Sequence, residues 1–321
     1  VKNNFTEALE SRDLRSLRKI PKSDLHNHSL MGGRLRSMEK FSGRELEKFR
    51  NGTKGVHGIN EWLEKVYRPL FDLPGAFKVA VDAAFIQAKS DGVTVLEMSM
   101  DAFMGRLFNI RPEEVVSTFT ASHQTIAPGI DFRPELGFSK SLPVRTLLSC
   151  FEPYIGMGYF RSIDLYDVED AQPLENFREL YRFAKQMGMK CKAHAGEFGN
   201  ADSVRKAVEL LELDEVQHGI GAAESPDVMK WLSRKGISLN VCPESNISLK
   251  RVKSYKTHPI RILFDHGVKV TVNTDDVMLF DAGNSEQYLK LYRSGLFSAK
   301  ELDVIRMNGL ENSKEDYSLF T

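Results

Sequence analysis

Polar and apolar residues alternate in eight short stretches of this chain, and between them the apolar spacing lengthens to that of helices. The β-rich stretches begin at 23 (SDLHNHSL), 93 (VTVLEMSM), 130 (IDFRPELGFS), 160 (FRSIDLYD), 190 (KCKAHAGE), 215 (EVQHGI), 237 (ISLNVCPESN) and 268 (VKVTVNTDD). The segments between them carry the i, i+3, i+4 pattern, as in AFKVAVDAAFIQAKSDG, LENFRELYRFAKQMG, ADSVRKAVELLEL, SPDVMKWLSRKG and THPIRILFDHG. Several of these end on the glycine that a helix C′ position favours. Eight β-α units in succession predict a (β/α)8 TIM-type barrel, with an N-terminal helical extension before the first strand. No G-x-G-x-x-G follows the first strand, which argues against a dinucleotide-binding sheet.

One spacing departs from the rhythm. Residues 32–75 separate the first two strands, and in a barrel that loop rises over the mouth where catalysis occurs, so 32–75 is expected to be a helical lid or substrate wall. No repeat or linker divides the chain, and a single domain over 1–321 is expected.

Composition narrows the function classes. Lys plus Arg and Asp plus Glu both number 44, so no net field draws in nucleic acid or an anionic membrane. Apolar residues make up 41% of the chain, but no apolar run approaches the roughly 20 residues of a membrane span. The charged N-terminal stretch has no apolar core of the kind an export signal needs. The three cysteines, Cys150, Cys191 and Cys242, lack C-x-x-C spacing and fit a reducing, cytoplasmic setting.

The candidate chemistry lies at strand ends. In SDLHNHSL a strand sends His26 and His28 to the same face while Asn27 points away. An isolated H-x-H is weak, and a packing role would explain it equally well. Three further strand ends carry His194 with Glu197, then His218, then Asp275 with Asp276. A barrel brings all of these to one rim. His26, His28, His194 and Asp275 form a candidate ligand set: three neutral imidazoles and a carboxylate leave one position open on a single Zn2+, which activates water. Because Asp275 and Asp276 are adjacent, a strand would aim them apart and only one would reach the ion. His57, His123, His258 and His266 read as surface or capping residues, and Cys242 as a lone thiol unsuited to ligation.

In this order and on these strands, PKSDLHNH, KAHAGE, VQHGIG, CPESN and VTVNTDD resemble the adenosine deaminase family of the amidohydrolase superfamily. The resemblance covers about residues 21 to 315. It implies a zinc-dependent hydrolytic deaminase of a 6-aminopurine, adenosine or a related adenine derivative, that releases ammonia through a zinc-bound hydroxide. It implies that Glu197 donates a proton to the ring nitrogen beside the attacked carbon and that His218 orients the hydroxide and moves its proton. Asp275 would ligate zinc, and Asp276 would bind the substrate at the purine N7.

The chain departs from the family pattern in the pocket wall. Leu30 stands where an acidic residue meets ribose, Tyr166 and Asp167 replace small residues on strand four, and EMSMD lacks an expected arginine. Arg34, Arg36 and Lys140 lie near the altered rim and suggest a site for a substrate phosphate or carboxylate. A bridging lysine for a second metal is missing from strand four, although Lys190 and Lys192 flank the next strand. Rival readings are a deaminase of another amino-heterocycle, a multi-metal phosphoesterase of the polymerase-and-histidinol-phosphatase type, suggested by DLHNHS, and a barrel that keeps its metal but not its turnover.

Overall fold

The structure, a computed structural model, describes residues 4–50 and 54–315, with the side chains of the last helix described as far as Leu310. Of the insertion expected at 32–75, residues 51–53 lie outside the described part, as do 1–3 and 316–321 of the expected domain. Eight parallel strands follow one another in sequence order: β1 (Lys22–His28), β2 (Val93–Asp101), β3 (Asp131–Ser139), β4 (Ser162–Tyr166), β5 (Lys190–Ala195), β6 (Glu215–His218), β7 (Ser238–Val241) and β8 (Lys269–Val272). Helices surround them, giving the expected (β/α)8 barrel, and short helices at Asn4–Glu10 and Leu14–Leu17 form the N-terminal extension.

The strands start within two residues of where the sequence pattern places them, but β7 and β8 end four or five residues earlier. β7 stops at Val241, and CPESN instead opens a helix, Pro243–Ser248, with Pro243 in its first turn. Proline supplies no N–H to a ladder and its φ suits the first helical turn, so it ends the strand. β8 likewise stops at Val272, leaving Asn273–Asp276 to turn over the rim.

Alternation along the strands divides apolar from polar contacts. Leu96, Leu136, Ile163, Ala193, Val216, Leu239 and Val270 pack in the continuous apolar core. Intervening positions carry polar side chains that meet one another inside the barrel. The buried Lys192 ammonium pairs with Glu97, lies 3.0 Å from Glu135 and 3.7 Å from Glu215, and Arg133 lies 3.4 Å from the other Glu97 oxygen. Burial alone would strip the Lys192 proton, but the carboxylates of Glu135, Glu97 and Glu215 outweigh it and push the pKa well above the ordinary lysine value. Ser162 donates to Glu135 at 2.8 Å, and Asn240 links Glu215 to Gln217 at 2.8 and 3.0 Å. This layer is the floor beneath the functional rim.

Closure between β1 and β8 relies on side chains. Asn273 Oδ1 accepts from the Leu25 amide at 2.8 Å, and the Asp24 carboxylate accepts from the Thr274 amide at 3.0 Å and from its hydroxyl at 2.5 Å. Asn284 Nδ2 bridges Ser23 and Val272 carbonyls at 3.1 and 2.7 Å, and the Asp275 amide donates to the His26 carbonyl at 2.9 Å. Beneath the seam, Gly309 of the helix Ala299–Glu315 approaches so closely that a Cβ there would sit 1.9 Å from Ser23 Oγ. Cys150, Cys191 and Cys242 are buried free thiols. Among the described residues no helix is long and apolar enough to cross a membrane.

Replacing Lys192 with Met takes the buried ammonium away from Glu97, Glu135 and Glu215, leaving Arg133 at 3.4 Å from Glu97 and Lys190 at 3.3 Å from Glu215. Removing one partner of a buried ion network costs about 3–5 kcal/mol, so urea denaturation is expected to show a loss of that size; a loss below about 1 kcal/mol would contradict the role assigned to this layer.

Candidate metal centre and its cavity

The strand ends bring the sequence-derived candidates together. His26 lies at the centre: its ring is 5.0 Å from that of His28, 4.6 Å from His194 and 5.1 Å from His218, centroid to centroid. One Asp275 oxygen is 3.4 Å from His28 Nε2 and 3.8 Å from His26 Nε2, and the other is 3.8 Å from His218 Nε2. Glu197 approaches the same His218 nitrogen at 3.8 Å. Ligand atoms of His26, His28 and His194 all fall within 4.8 Å of one another.

Asp275 and Asp276 are not separated in the way a strand would separate them. Both place an oxygen within 4.8 Å of the His28 ligand atom. The strand has already ended, and Asp275 adopts a left-handed conformation, φ 58°, in the turn. His218 at the end of β6 is also left-handed, φ 62°. Such backbone is held only by surrounding structure, at about 1–3 kcal/mol per residue, and it aims both side chains into the rim.

Burial sets the protonation states. It holds His26 and His194 well below the ordinary histidine pKa, with neighbouring imidazoles adding to the effect, and lowers His218 to about 3. All three are therefore neutral near pH 7, the state a metal requires of a histidine ligand. Both His26 ring nitrogens are buried without a hydrogen-bond partner, and a coordinated cation would satisfy one of them. Asp164 lies 3.2 Å from His194 Nδ1 and leaves the other nitrogen to face the cluster. The site thus fits a metal ion held by His26, His28, His194 and Asp275. Cys242 also lies near His26, His218 and Asp275, but its Sγ points to the Asn240 carbonyl at 3.7 Å and burial pushes its thiol pKa well up, so it stays a protonated neighbour.

Carboxylates on the same rim behave oppositely to the histidines. Burial raises Glu197 well above the usual carboxylate range, reinforced by Asp275 and Glu169, and raises Asp276 with help from Asp275 and Glu197. Glu197 is therefore held in its protonated form.

Several residues that hold these groups were not identified from the sequence. The Glu169 carboxylate accepts from the amides of Gly196, Phe198 and Gly199 at 2.6, 2.9 and 3.1 Å, clamping the loop that presents Glu197. Arg251 grips the same loop through the Glu197 and Phe198 carbonyls at 3.0 and 3.1 Å. Asn246 lies 3.2 Å from His218 Nδ1. Asp164 had a legible signal, three positions before the end of the predicted strand FRSIDLYD; Glu169, inside the acidic run DVED, had none.

A cavity of about 420 Å³ opens above the cluster. The insertion walls it with Ile59, Leu63, Tyr67 and Phe71, and the β2 loop adds Phe103 and Phe108. Phe71 and Phe108 stack at 4.4 Å, and the buried Tyr67 hydroxyl donates to the Leu30 carbonyl. Tyr166 stands edge-on to His28 at 5.4 Å, its hydroxyl donating to Asp101 at 2.5 Å. Gly137 leaves room for it: a Cβ there would lie 2.7 Å from the Tyr166 ring.

The basic rim expected from Arg34, Arg36 and Lys140 is not part of this cavity. Lys140 is buried and donates to the His194 carbonyl at 2.6 Å, and Arg34 and Arg36 open on a different cavity behind the wall. Among the described residues Arg68 is the one lysine or arginine lining the catalytic side, where Glu64, Asp101 and Asp167 also face inward. The loops turn Arg34 outward because its guanidinium finds Gln87 at 3.1 Å, Asp281 at 2.7 Å and Glu286 at 2.5 Å there.

Fold and site together define the class, a (β/α)8 barrel with a candidate metal site at its C-terminal rim. The adenosine deaminase family pattern matches residues 65–318, and the chain belongs to that family. A Treponema pallidum protein named as an adenosine/adenine deaminase is 32% identical over 298 residues, covering 92% of this chain and 98% of its own length. An adenine deaminase from Arthrobacter aurescens superposes with a TM-score of 0.80 at 23% identity, covering 92% of this chain and 94% of that one. A zinc-bound amidohydrolase from Burkholderia ambifaria gives 0.78 at 23%, with 92% and 86% covered. The protein is a deaminase, a hydrolase acting on C–N bonds, and the multi-metal phosphoesterase reading falls away.

Glu169→Ala frees three amides of the Glu197 loop without touching the histidines. Turnover is expected to fall at least tenfold while metal content by atomic emission stays unchanged; full activity would show that the loop holds itself.

Proposed function

We propose that the protein is a zinc-dependent hydrolytic deaminase of a 6-aminopurine presented as the free base or nucleoside, releasing ammonia. The observation that carries this reading is the pairing on one rim of neutral imidazoles with a buried, proton-bearing Glu197. His26, His28, His194 and Asp275 would hold the ion, whose chemistry when bound would be to lower the pKa of water toward about 7. Zinc suits this nitrogen and oxygen donor set, and a structurally similar amidohydrolase carries it.

The remaining steps belong to the chain's own groups. Glu197 gives its proton to the ring nitrogen beside the amino-bearing carbon, which makes that carbon more electrophilic. His218, neutral and 3.8 Å from both Glu197 and Asp275, accepts and relays the proton of the attacking water. Asp276, also proton-bearing, donates to the purine N7. The apolar wall from the 32–75 insertion acts as a lid that excludes water and keeps Glu197 protonated until it donates to the ring.

The relatives named for adenosine and adenine support the purine, and the acidic lining supports an uncharged substituent. A phosphate would face Glu64, Asp101 and Asp167 with Arg68 alone to receive it.

Ammonia release from adenine, adenosine and AMP tests the substrate: kcat/KM for AMP is expected to be at least tenfold below that for the better of the other two, and AMP as the best substrate would reverse the assignment. Replacing Glu197 with Gln is expected to lower kcat by a factor of about 10²–10⁴ with zinc content unchanged. Chelation is expected to abolish turnover, and added zinc to restore it; full activity of verified metal-free protein would end the metal reading.

A further inference from the structure

We propose that the cavity behind the catalytic wall is a binding site for a phosphate-bearing small molecule, and that the catalytic cavity responds to its occupancy. This cavity measures about 710 Å³, against about 420 Å³ for the catalytic one. It receives Arg34, Arg36 and Arg50 of the first βα-loop, none of which lines the catalytic cavity. Six cations line it, facing the three carboxylates Glu39, Asp281 and Glu286.

The cations form two layers. In the inner layer the carboxylates are already engaged: Arg34 binds Asp281 at 2.7 Å and Glu286 at 2.5 Å, and Arg18 binds Glu286 at 3.0 Å. In the outer layer Arg36, Lys48, Arg50 and Lys250 are exposed, and none of them forms an ion pair among the described residues. They come from three separate parts of the chain. A scattered surface lysine needs no partner, but four cations gathered around one concavity repel each other, and a ligand with several anionic oxygens relieves that repulsion. Phosphate suits the guanidinium forks of Arg36 and Arg50, with ammonium groups beside them as point charges.

The wall between the two cavities is shared backbone. Leu249 lines the catalytic cavity while its neighbours Ser248 and Lys250 line this one. Asp275 and Asp276 face the metal cluster, and the same turn continues through Met278–Asp281 into the second cavity. Arg34 closes the connection by holding the Asp281 carbonyl at 2.8 Å. An anion that draws the basic layer inward therefore acts on the turn that aims both aspartates.

Calorimetry with pyrophosphate on the zinc-loaded protein, at fixed ionic strength, measures binding without turnover and so stands apart from the deaminase reading. Saturable binding is expected, weakened at least tenfold by the double substitution Arg36→Glu with Lys250→Glu and unaffected by Arg68→Ala in the catalytic cavity. The double variant is expected to keep its ammonia release in the absence of pyrophosphate. Absence of saturable binding, binding indifferent to the double substitution, or citrate binding as tightly as pyrophosphate would overturn the site or its phosphate preference. Saturating pyrophosphate is expected to shift the substrate KM at least twofold in the native protein and not in the double variant; an unmoved KM would overturn the coupling.

Discussion

Four imidazoles packed around an aspartate, with His26, His194 and His218 in a space too dry for their rings to protonate, form the constraint on which the rest of this molecule depends. Ring centroids about 5 Å apart would repel strongly if charged, and burial removes the water that would screen them. Buried ring nitrogens that face one another need a cation or a donor to satisfy them. That requirement accounts for the unpartnered His26 nitrogens and for Asp164 against His194. The dryness that keeps His26, His194 and His218 neutral also keeps Glu197 and Asp276 protonated, so one physical cause sets the charge of both kinds of group.

The barrel beneath is adapted to hold such a cluster. Its interior is a bonded polar layer, with Lys192 amid three glutamates, and its β1–β8 seam is stitched by Asp24, Asn273, Thr274 and Asn284. These directional bonds fix strand ends more narrowly than apolar contact would, because a slipped hydrogen bond loses its partner while a slipped methyl group finds another. The Glu197 loop, lying beyond any strand, receives the same treatment from Glu169 and Arg251. Distance tolerance at the rim is thus set by groups that never meet substrate.

The loops over the rim divide space by charge. One face of the β1, β7 and β8 loops closes an apolar, weakly acidic cavity over the cluster; the other bounds a basic one. Neighbouring residues in sequence, Leu249 and Lys250 among them, serve opposite sides of a single wall. Arg34 and Arg36 follow the catalytic histidines by only a few residues, yet belong to the other side.

The sequence by itself determined the eight-fold β-α order, because alternation and helical spacing are local consequences of burial on one face. It also determined the identities of the cluster, because a barrel of that order leaves His26, His28, His194, His218 and Asp275 nowhere to go but the same rim. Only the tertiary structure decided what holds and surrounds them. Glu169 reads as one acid in an acidic run until the Gly196–Gly199 amides arrive beside it, and Lys140 reads as a rim cation until the chain buries it on the His194 carbonyl. The direction of Arg34 depends on Glu286, some 250 residues away. Strand periodicity carries information over a few residues, whereas a partner for a long charged side chain is chosen across the fold, and no local pattern encodes that choice.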